Sequence, residues 1–167
     1  MADTYTLISS VTVGAGGASS IDFPSIPATY TDLQILFSGR AASGSPEFLM
    51  NLNNSSSNFT TRYLQGSGTT ATSNNLARTY IGESEYSTRT ANTFASVSIY
   101  IPNYAGSNNK SFSVDNVQEN NATESYSELL AGLWSNTTAI NQITLYCSGS
   151  INLAPYSTAY LYGIKNS

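Results

Sequence analysis

Apolar and polar residues alternate along short stretches of this chain from one end to the other. In the clearest stretch, Val97, Ile99 and Ile101 alternate with polar or amphipathic residues. A period of two places such a set on one face of a β-strand. Comparable runs lie near residues 5–13, 21–23, 33–37, 48–52, 63, 80–81, 112–114, 126–134, 143–147 and 160–164. The pattern therefore predicts about ten or eleven short strands.

The stretch from Ser125 to Trp134 also has some helical character. Leu129, Leu130 and Leu133 fall at helical spacing, but Gly132 interrupts them. Glycine inside a helix is destabilising. A strand is the favoured interpretation, with a helix as the alternative.

Turn-forming residues separate the predicted strands. The separators are rich in Gly, Asn and Ser, which adopt turn conformations at low cost. We therefore predict an all-β fold, an antiparallel β-sandwich of jelly-roll type, with residues 1–167 as one domain. Gly14–Gly17 and the pair Pro24 and Pro27 punctuate its start, so residues 1–27 form either an N-terminal arm or an edge-strand region. We expect Phe37, Ile99 and Trp134 in the core.

Charged residues are unusually scarce. Only 10% of the 167 residues are Asp, Glu, Lys or Arg, against about 25% in an average soluble domain. Ser, Thr and Asn together supply 63 residues, while 40% of the chain is apolar and 11% aromatic. This apolar content argues against a disordered chain. It favours a Thr-, Ser- and Tyr-rich β protein.

The charge balance also excludes classes of partner. The net charge is −4, and the six basic residues are scattered, at Arg40, Arg62, Arg78, Arg89, Lys110 and Lys165. Nucleic-acid binding needs clustered basic residues, so we expect no nucleic-acid partner. No apolar run approaches a membrane span, so we expect no membrane insertion. The first residues do not resemble a secretory signal, so the protein is expected to be made in the cytoplasm.

Several kinds of enzyme chemistry lack their usual residues. The chain has no His and a single Cys, Cys147, so neither a Ser-His-Asp triad nor a zinc site of the usual type can form. Cys147 ends an apolar face with Ile143 and Leu145, which predicts a buried and inert thiol. We expect no enzyme activity, no cofactor and no metal.

Two pairs of carboxylates are the remaining catalytic candidates. Glu83 and Glu85 share a face of an extended segment, and Glu124 lies four residues from Glu128. Paired carboxylates can hydrolyse glycosidic bonds. The favoured interpretation is a solvated strand edge or loop, where charge also prevents unwanted strand pairing.

Two loops resemble ligand sites weakly. Asp115–Asn121 is rich in the oxygen ligands that calcium prefers, but it lacks the spacing of an EF-hand loop. Gly14–Gly17 lacks the Gly-Lys-Ser/Thr ending of a phosphate-binding loop, so a turn is expected. The abundance of Tyr, Asn and Ser suits adaptable binding surfaces, including sugar-binding ones. Strands and turns account for most of these residues.

Most of the chain, from about Tyr30 onward, resembles a family of small β-rich virion proteins of tailed bacteriophages, common in marine and cyanobacterial phage genomes. The stretches that carry the resemblance are Tyr30-Thr31-Asp32-Leu33, Phe37-Ser38-Gly39-Arg40, Ile99-Tyr100-Ile101-Pro102-Asn103-Tyr104-Ala105-Gly106, Lys110-Ser111-Phe112-Ser113-Val114-Asp115, Ala131-Gly132-Leu133-Trp134 and Ala159-Tyr160-Leu161-Tyr162-Gly163-Ile164-Lys165-Asn166-Ser167.

The resemblance implies a structural place in the virion, and no catalytic residues come with it. We expect a capsid decoration or cement protein on the particle surface. Its partners would be further copies of itself, with a trimer as the first expectation, and virion proteins such as the major capsid protein. The alternative is a tail-fibre or tail-tip module that binds host surface glycan.

Overall fold

The computed structural model describes residues 4–121 and 125–165. Its strands in chain order are β1 (Tyr5–Thr12), β2 (Ser20–Phe23), β3 (Asp32–Gly39), β4 (Glu47–Leu52), β5 (Phe59–Gly66), β6 (Ala71–Leu76), β7 (Tyr80–Glu83), β8 (Ala95–Ile101), β9 (Lys110–Gln118), β10 (Tyr126–Trp134), β11 (Ile143–Cys147) and β12 (Thr158–Ile164). The helical structure within the described ranges is one 3₁₀ turn, Ser148–Ser150, and no helix there is long and apolar enough to cross a membrane.

The strands form two sheets that pack face to face. The large sheet has eight strands in the order β1-β12-β3-β8-β9-β10-β5-β6, and the small sheet has four in the order β2-β11-β4-β7. Every pairing between these strands is antiparallel. The predicted all-β antiparallel sandwich is confirmed. The more specific jelly-roll topology is not confirmed.

Alternation decides which side chains enter the space between the sheets. Along β9 the exposure of successive residues alternates without a break, with Phe112 and Val114 inside and Ser113 outside. One continuous core results, to which both sheets contribute. The predicted core residues Phe37, Ile99 and Trp134 are each no more than 2% exposed.

The stretch with helical character is a strand. Residues 126–134 form β10, which pairs with β9 on one side and β5 on the other. Gly132 lies directly opposite Phe112, and a Cβ atom on Gly132 would stand 1.9 Å from Phe112 Cζ. The glycine is therefore needed because the aromatic ring of the neighbouring strand lies across it.

The turns use the residues that the sequence indicates. Within residues 4–121 and 125–165, six of the nine non-glycine residues with positive φ are asparagines: Asn53, Asn54, Asn58, Asn92, Asn103 and Asn121. Asparagine tolerates this conformation better than most residues. The predicted turn at Gly14–Gly17 is confirmed, since the Gly17 N–H donates to the Gly14 carbonyl at 3.0 Å.

Both N-terminal strands are edge strands. β1 pairs with β12 at one edge of the large sheet, and β2 pairs with β11 at one edge of the small sheet. The β1 register shifts between Leu7 and Ser9, where the sequence pattern also breaks. Much of the region 1–27 thus belongs to the edges of the two sheets of its own chain.

Candidate functional site

The outward-facing surface of the large sheet carries most of the exposed apolar side chains. Among the described residues, strand register places nine of the ten exposed large apolar or aromatic side chains there, the tenth being Tyr156 in a loop. We call this surface the outer face and define it by Tyr5, Leu7, Leu36, Leu64, Tyr100, Val117, Leu129, Leu133 and Tyr160. Across the central row of this face, Tyr160 and Leu36 form one apolar pair and Leu129 and Leu64 another, with Ser98 and Asp115 between them. Exposed apolar patches mark interaction sites in soluble proteins.

The part of the outer face that β5 and β10 form, toward the β6 edge, is apolar and carries few charges. Leu64 of β5 lies directly opposite Leu129 of β10, and these side chains are 54% and 61% exposed. Asp115 lies on the other side of Leu129, and Arg62 is one position along from Leu64 on the same face. No ion pair joins these two charges among the described residues.

A groove of about 880 Å³ runs over this part of the outer face. Its lining combines Leu64 and Leu129 with the polar groups of Arg62, Asp115 and Tyr100. The Tyr100 hydroxyl donates to Asp32 Oδ2 at 2.8 Å, which fixes the orientation of the ring. The hydrogen bond to Asp32 raises the pKa of Tyr100, so the hydroxyl keeps its proton.

The outward-facing surface of the small sheet is different in character. Its side chains are largely polar and bond to one another: Thr144 and Ser20 both donate to Asp22 at 2.6 Å, and Tyr146 donates to Asn51 at 3.2 Å. Such a surface is already satisfied in water. The apolar character is therefore confined to one side of the sandwich.

One of the carboxylate candidates, Glu128, lies elsewhere, between the two sheets. Glu128 faces inward from β10 and is 2% exposed. Its Oε1 accepts hydrogen bonds from the Tyr80 hydroxyl and from Gln65 Nε2 at 2.9 Å. Its Oε2 accepts from Asn116 Nδ2 at 2.7 Å and from the Glu83 backbone N–H at 2.8 Å. Since Tyr80 and Glu83 belong to β7, this carboxylate ties the two sheets together.

The surroundings of Glu128 favour a fixed arrangement. Burial and the adjacent Glu128 carboxylate raise the pKa of Tyr80 well above its ordinary value, so its hydroxyl remains a donor. Asn116 Nδ2 also donates to the Glu83 carbonyl at 3.0 Å, and Gly82, at φ +126°, allows the close approach of Asn116 to β7. A side chain at Gly82 would collide with that amide.

Glu85 belongs to a second buried cluster. It is fully buried and accepts from Asn120 Nδ2 at 2.7 Å and from Thr93 Oγ1 at 3.3 Å. The Arg40 guanidinium lies nearby and donates to several backbone carbonyls of residues 86–93, at distances from 2.7 to 3.4 Å. These bonds hold the long β7–β8 connection against the sandwich.

The structure does not bring together Glu83 and Glu85, one of the two carboxylate pairs predicted from spacing. The prediction that these carboxylates lie on a solvated edge or loop is wrong for Glu85 and Glu128, which are buried. Neutral hydrogen-bond donors around both carboxylates make their burial possible. The backbone N–H of Glu83 donates to Glu128, whereas Glu85 belongs to a different cluster. Glu124 lies outside the described residues.

The other candidate groups fall as follows. Burial raises the pKa of the Cys147 thiol to about 12, and the side chain is 2% exposed, which confirms the buried thiol. In Asp115–Asn121 the strand alternation turns Asp115 outward and Asn116 inward, so the oxygens do not converge. The described residues contain no group of three or more acidic, His or Cys side chains arranged to hold a metal.

A scan against models of known protein families and a search of curated proteins both found no match to this chain.

The sequence of β10 indicates an apolar outer face, but the spacing of its residues does not show which of its two faces is the outer one. Alternation along β10 places Leu129, Ala131 and Leu133 on one face, but it cannot say which face meets the core. In the structure Leu130 and Trp134 point inward, and Leu129 and Leu133 point outward. The feature of the sequence that indicates the outer face is therefore that β10 has apolar residues on both of its faces.

Proposed function

We propose that this protein is a structural protein of a bacteriophage virion, a decoration or cement protein that attaches to the capsid through its outer face. The observation that carries the proposal is that, in the part of the chain that the structure describes, nine of the ten exposed large apolar side chains lie on that one face. The virion assignment itself is supported by the resemblance of the sequence to phage structural proteins.

The pattern of β10 supports a partner on the outer face. Strands covered on both faces have near-continuous apolar runs, whereas a strand with one solvated face alternates cleanly. β10 has Leu129 and Leu130 in succession, followed by Leu133 and Trp134. Within its own chain only the inner face is covered. A protein surface laid against the outer face would complete the environment that this pattern fits.

The size of the outer face suits such a partner. Eight strands about 4.8 Å apart span roughly 34 Å, and seven residues of strand cover about 23 Å, giving roughly 780 Å². A standard protein–protein interface buries about 800 Å² on each partner. The face is therefore large enough for one stable contact.

The polar content of the outer face makes it soluble before assembly and inexpensive to desolvate. Charged strand residues on this face are Asp32, Arg62 and Asp115, and Asp32 is already buried under Tyr100 and the Asn103 N–H. Neutral hydroxyls and amides fill much of the remaining surface. Cores of protein interfaces are likewise poor in charge and rich in aromatic residues.

The test compares attachment to purified particles after equivalent substitutions on and off the outer face. Leu129→Lys puts a charge into the apolar part of the face that β5 and β10 form, and the directly opposed Asp115 makes the change acceptable to the fold. Tyr156→Lys is the matched control, because Tyr156 is 69% exposed but lies off the face. Leu129→Lys should strongly reduce occupancy, with the control unchanged. Equal occupancy of both variants would contradict the proposal.

The groove favours a second candidate, a host-recognition module that binds cell-surface glycan. An oriented Tyr100 ring offers a surface for the apolar face of a sugar, while Arg62 and Asp115 offer hydrogen bonds to hydroxyls. A glycan array separates the candidates. Saturable binding of a defined glycan that Arg62→Ser and Asp115→Ser abolish would support this second role, and the absence of binding would leave the capsid role.

A further inference from the structure

The open strand edges of the two sheets differ in how they are protected. The edges are β1 and β6 in the large sheet and β2 and β7 in the small sheet. Unprotected edges pair with other chains, so proteins blunt them with charges, prolines, bulges or short strands. The comparison among these four strands shows where a second chain can add.

Three of the edges carry such protection. β1 has a register shift between Leu7 and Ser9. β2 has four residues, including the outward-facing Asp22. β7 also has four residues, ends at Glu83 and pairs with β4 through a register shift.

Among the described strands, β6 is the edge without these devices. Its six residues contain no charge and no proline, and they pair with β5 in an unbroken register from Leu76 to Ala71. All of them are exposed except the half-buried Leu76, so β6 is held almost entirely by its hydrogen bonds to β5. A second strand on its open side would roughly double the hydrogen bonding of this weakly packed element.

The backbone of β6 shows which groups face the open edge. The Asn75 N–H donates to the Asn74 side-chain Oδ1 at 2.8 Å, so it points away from β5. Backbone groups of alternate residues point to the same side of a strand. Ala71 and Ser73 therefore present their N–H and C=O groups to the open edge together with Asn75.

We propose that β6 pairs antiparallel with β6 of a second copy of this chain, with the two-fold axis at Ser73. In this register Ser73 faces its own copy and Ala71 faces Asn75, so the three edge-facing residues match in both directions. Each such pair exchanges two bonds, giving about six backbone hydrogen bonds. The Asn74 side chain releases the Asn75 N–H to the partner strand.

Charge favours a second copy of the same chain as the occupant. A two-fold axis brings every charge close to its own copy, and β6 has none. The charged strand residue nearest to β6 is Arg62, which lies on the neighbouring strand β5 opposite Asn75. Two Arg62 side chains would be three strand spacings apart, about 14 Å, which exceeds the Debye length of about 8 Å at physiological salt.

The consequence is a two-fold dimer, in place of the trimer expected for a capsid decoration protein, with one sheet continuous across both copies. The two outer faces would then lie side by side. This inference does not depend on the virion role, because it concerns the purified protein in solution.

Sedimentation velocity of the full chain over a hundredfold range of concentration tests the proposal. The wild type should pass from monomer to dimer as concentration rises. Ser73→Pro should abolish the dimer without unfolding the chain, since the N–H that it removes points away from β5. Ser73→Lys and Ser73→Glu should each stay monomeric, while their equimolar mixture should restore the dimer. Ser10→Lys, on the opposite edge strand, is the control and should dimerise like the wild type.

Other outcomes overturn the proposal. A wild type that remains monomeric throughout, or that forms a trimer, would contradict it. So would a dimer that survives Ser73→Lys or that Ser10→Lys dissociates. If Ser73→Pro proves unfolded by circular dichroism, the Lys and Glu variants and their mixture decide the question.

Discussion

Replacing Glu128 by alanine should destabilise the protein by about 3–5 kcal/mol. The change removes the acceptor of the Glu83 N–H and the nearer of the two acceptors of both the Tyr80 hydroxyl and the Asn116 amide; the second acceptors are Glu83 Oε1 at 3.4 Å and the Glu83 carbonyl at 3.0 Å. Each unsatisfied buried donor costs about 1–3 kcal/mol. The total stays below the simple sum because the Tyr80 hydroxyl can rotate and because the half-buried Gln65 can reach water. Urea unfolding followed by circular dichroism measures the loss as a lower midpoint at unchanged slope.

Glu128→Gln is the matched control for this prediction. The new amide carbonyl can still accept from Asn116 and Glu83, while its NH₂ group donates to the Tyr80 oxygen. The charge assistance and the hydrogen bond from Gln65 are lost, and the half-buried Gln65 can bond to water instead, so the expected cost is about 1–2 kcal/mol. A loss under about 1 kcal/mol for Glu128→Ala would refute the view that this carboxylate holds the two sheets together.

The remaining predictions concern packing and pH. Trp134→Ala should cost about 3–5 kcal/mol in urea unfolding, because the indole is 1% exposed and stacks on Phe59; a loss under about 1 kcal/mol would place Trp134 outside the core. Gly132→Ala should lower the melting temperature, because its Cβ would stand 1.9 Å from Phe112 Cζ; an unchanged melting temperature would contradict the close packing. Tyr80 should make the protein less stable at alkaline pH, because its pKa is raised in the folded state. Above pH about 10 the unfolded state loses the Tyr80 proton while the folded state keeps it. The free energy of unfolding should therefore fall by about 1.4 kcal/mol per pH unit. Urea midpoints at successive alkaline pH values should therefore fall less steeply for Tyr80→Phe than for the wild type, and equal slopes would be inconsistent with this account.

Local alternation was enough to predict most of the strands but not their order. The runs that became β8, β9 and β11 were visible because one face of each is apolar and the other is polar. β6 was missed because its residues Ala71–Leu76 bury almost nothing, so it has no apolar period. The order of strands in a sheet depends on pairings between residues far apart in sequence. Local alternation does not reveal these pairings, so it could not support the prediction of a jelly roll.

Burial of polar groups was the harder part to predict. Spacing suggested Glu83 with Glu85, and it treated all four carboxylates as solvated. Glu128 is buried because Tyr80, Asn116 and Gln65, from three other strands, converge on it. No local pattern indicates that convergence.

The outer face was partly visible in the sequence. The stretch 129–134 has apolar residues on both faces of its strand, which indicates a strand that is covered on both sides. In a two-layer sandwich, however, the chain itself covers only the inner face of each sheet. The exposed Leu129 and Leu133 became recognisable as an interaction surface once the small sheet was seen to cover only Leu130 and Trp134.

Electron cryo-microscopy of particles that carry this protein tests the proposed function most directly. The sandwich can be fitted into the map and its orientation read from the unequal sizes of the two sheets. We expect density on the capsid surface with the outer face, including Leu64 and Leu129, against the shell and the polar side of the small sheet toward solvent. Density confined to tail fibres, or a capsid-bound sandwich with its outer face exposed to water, would contradict the account.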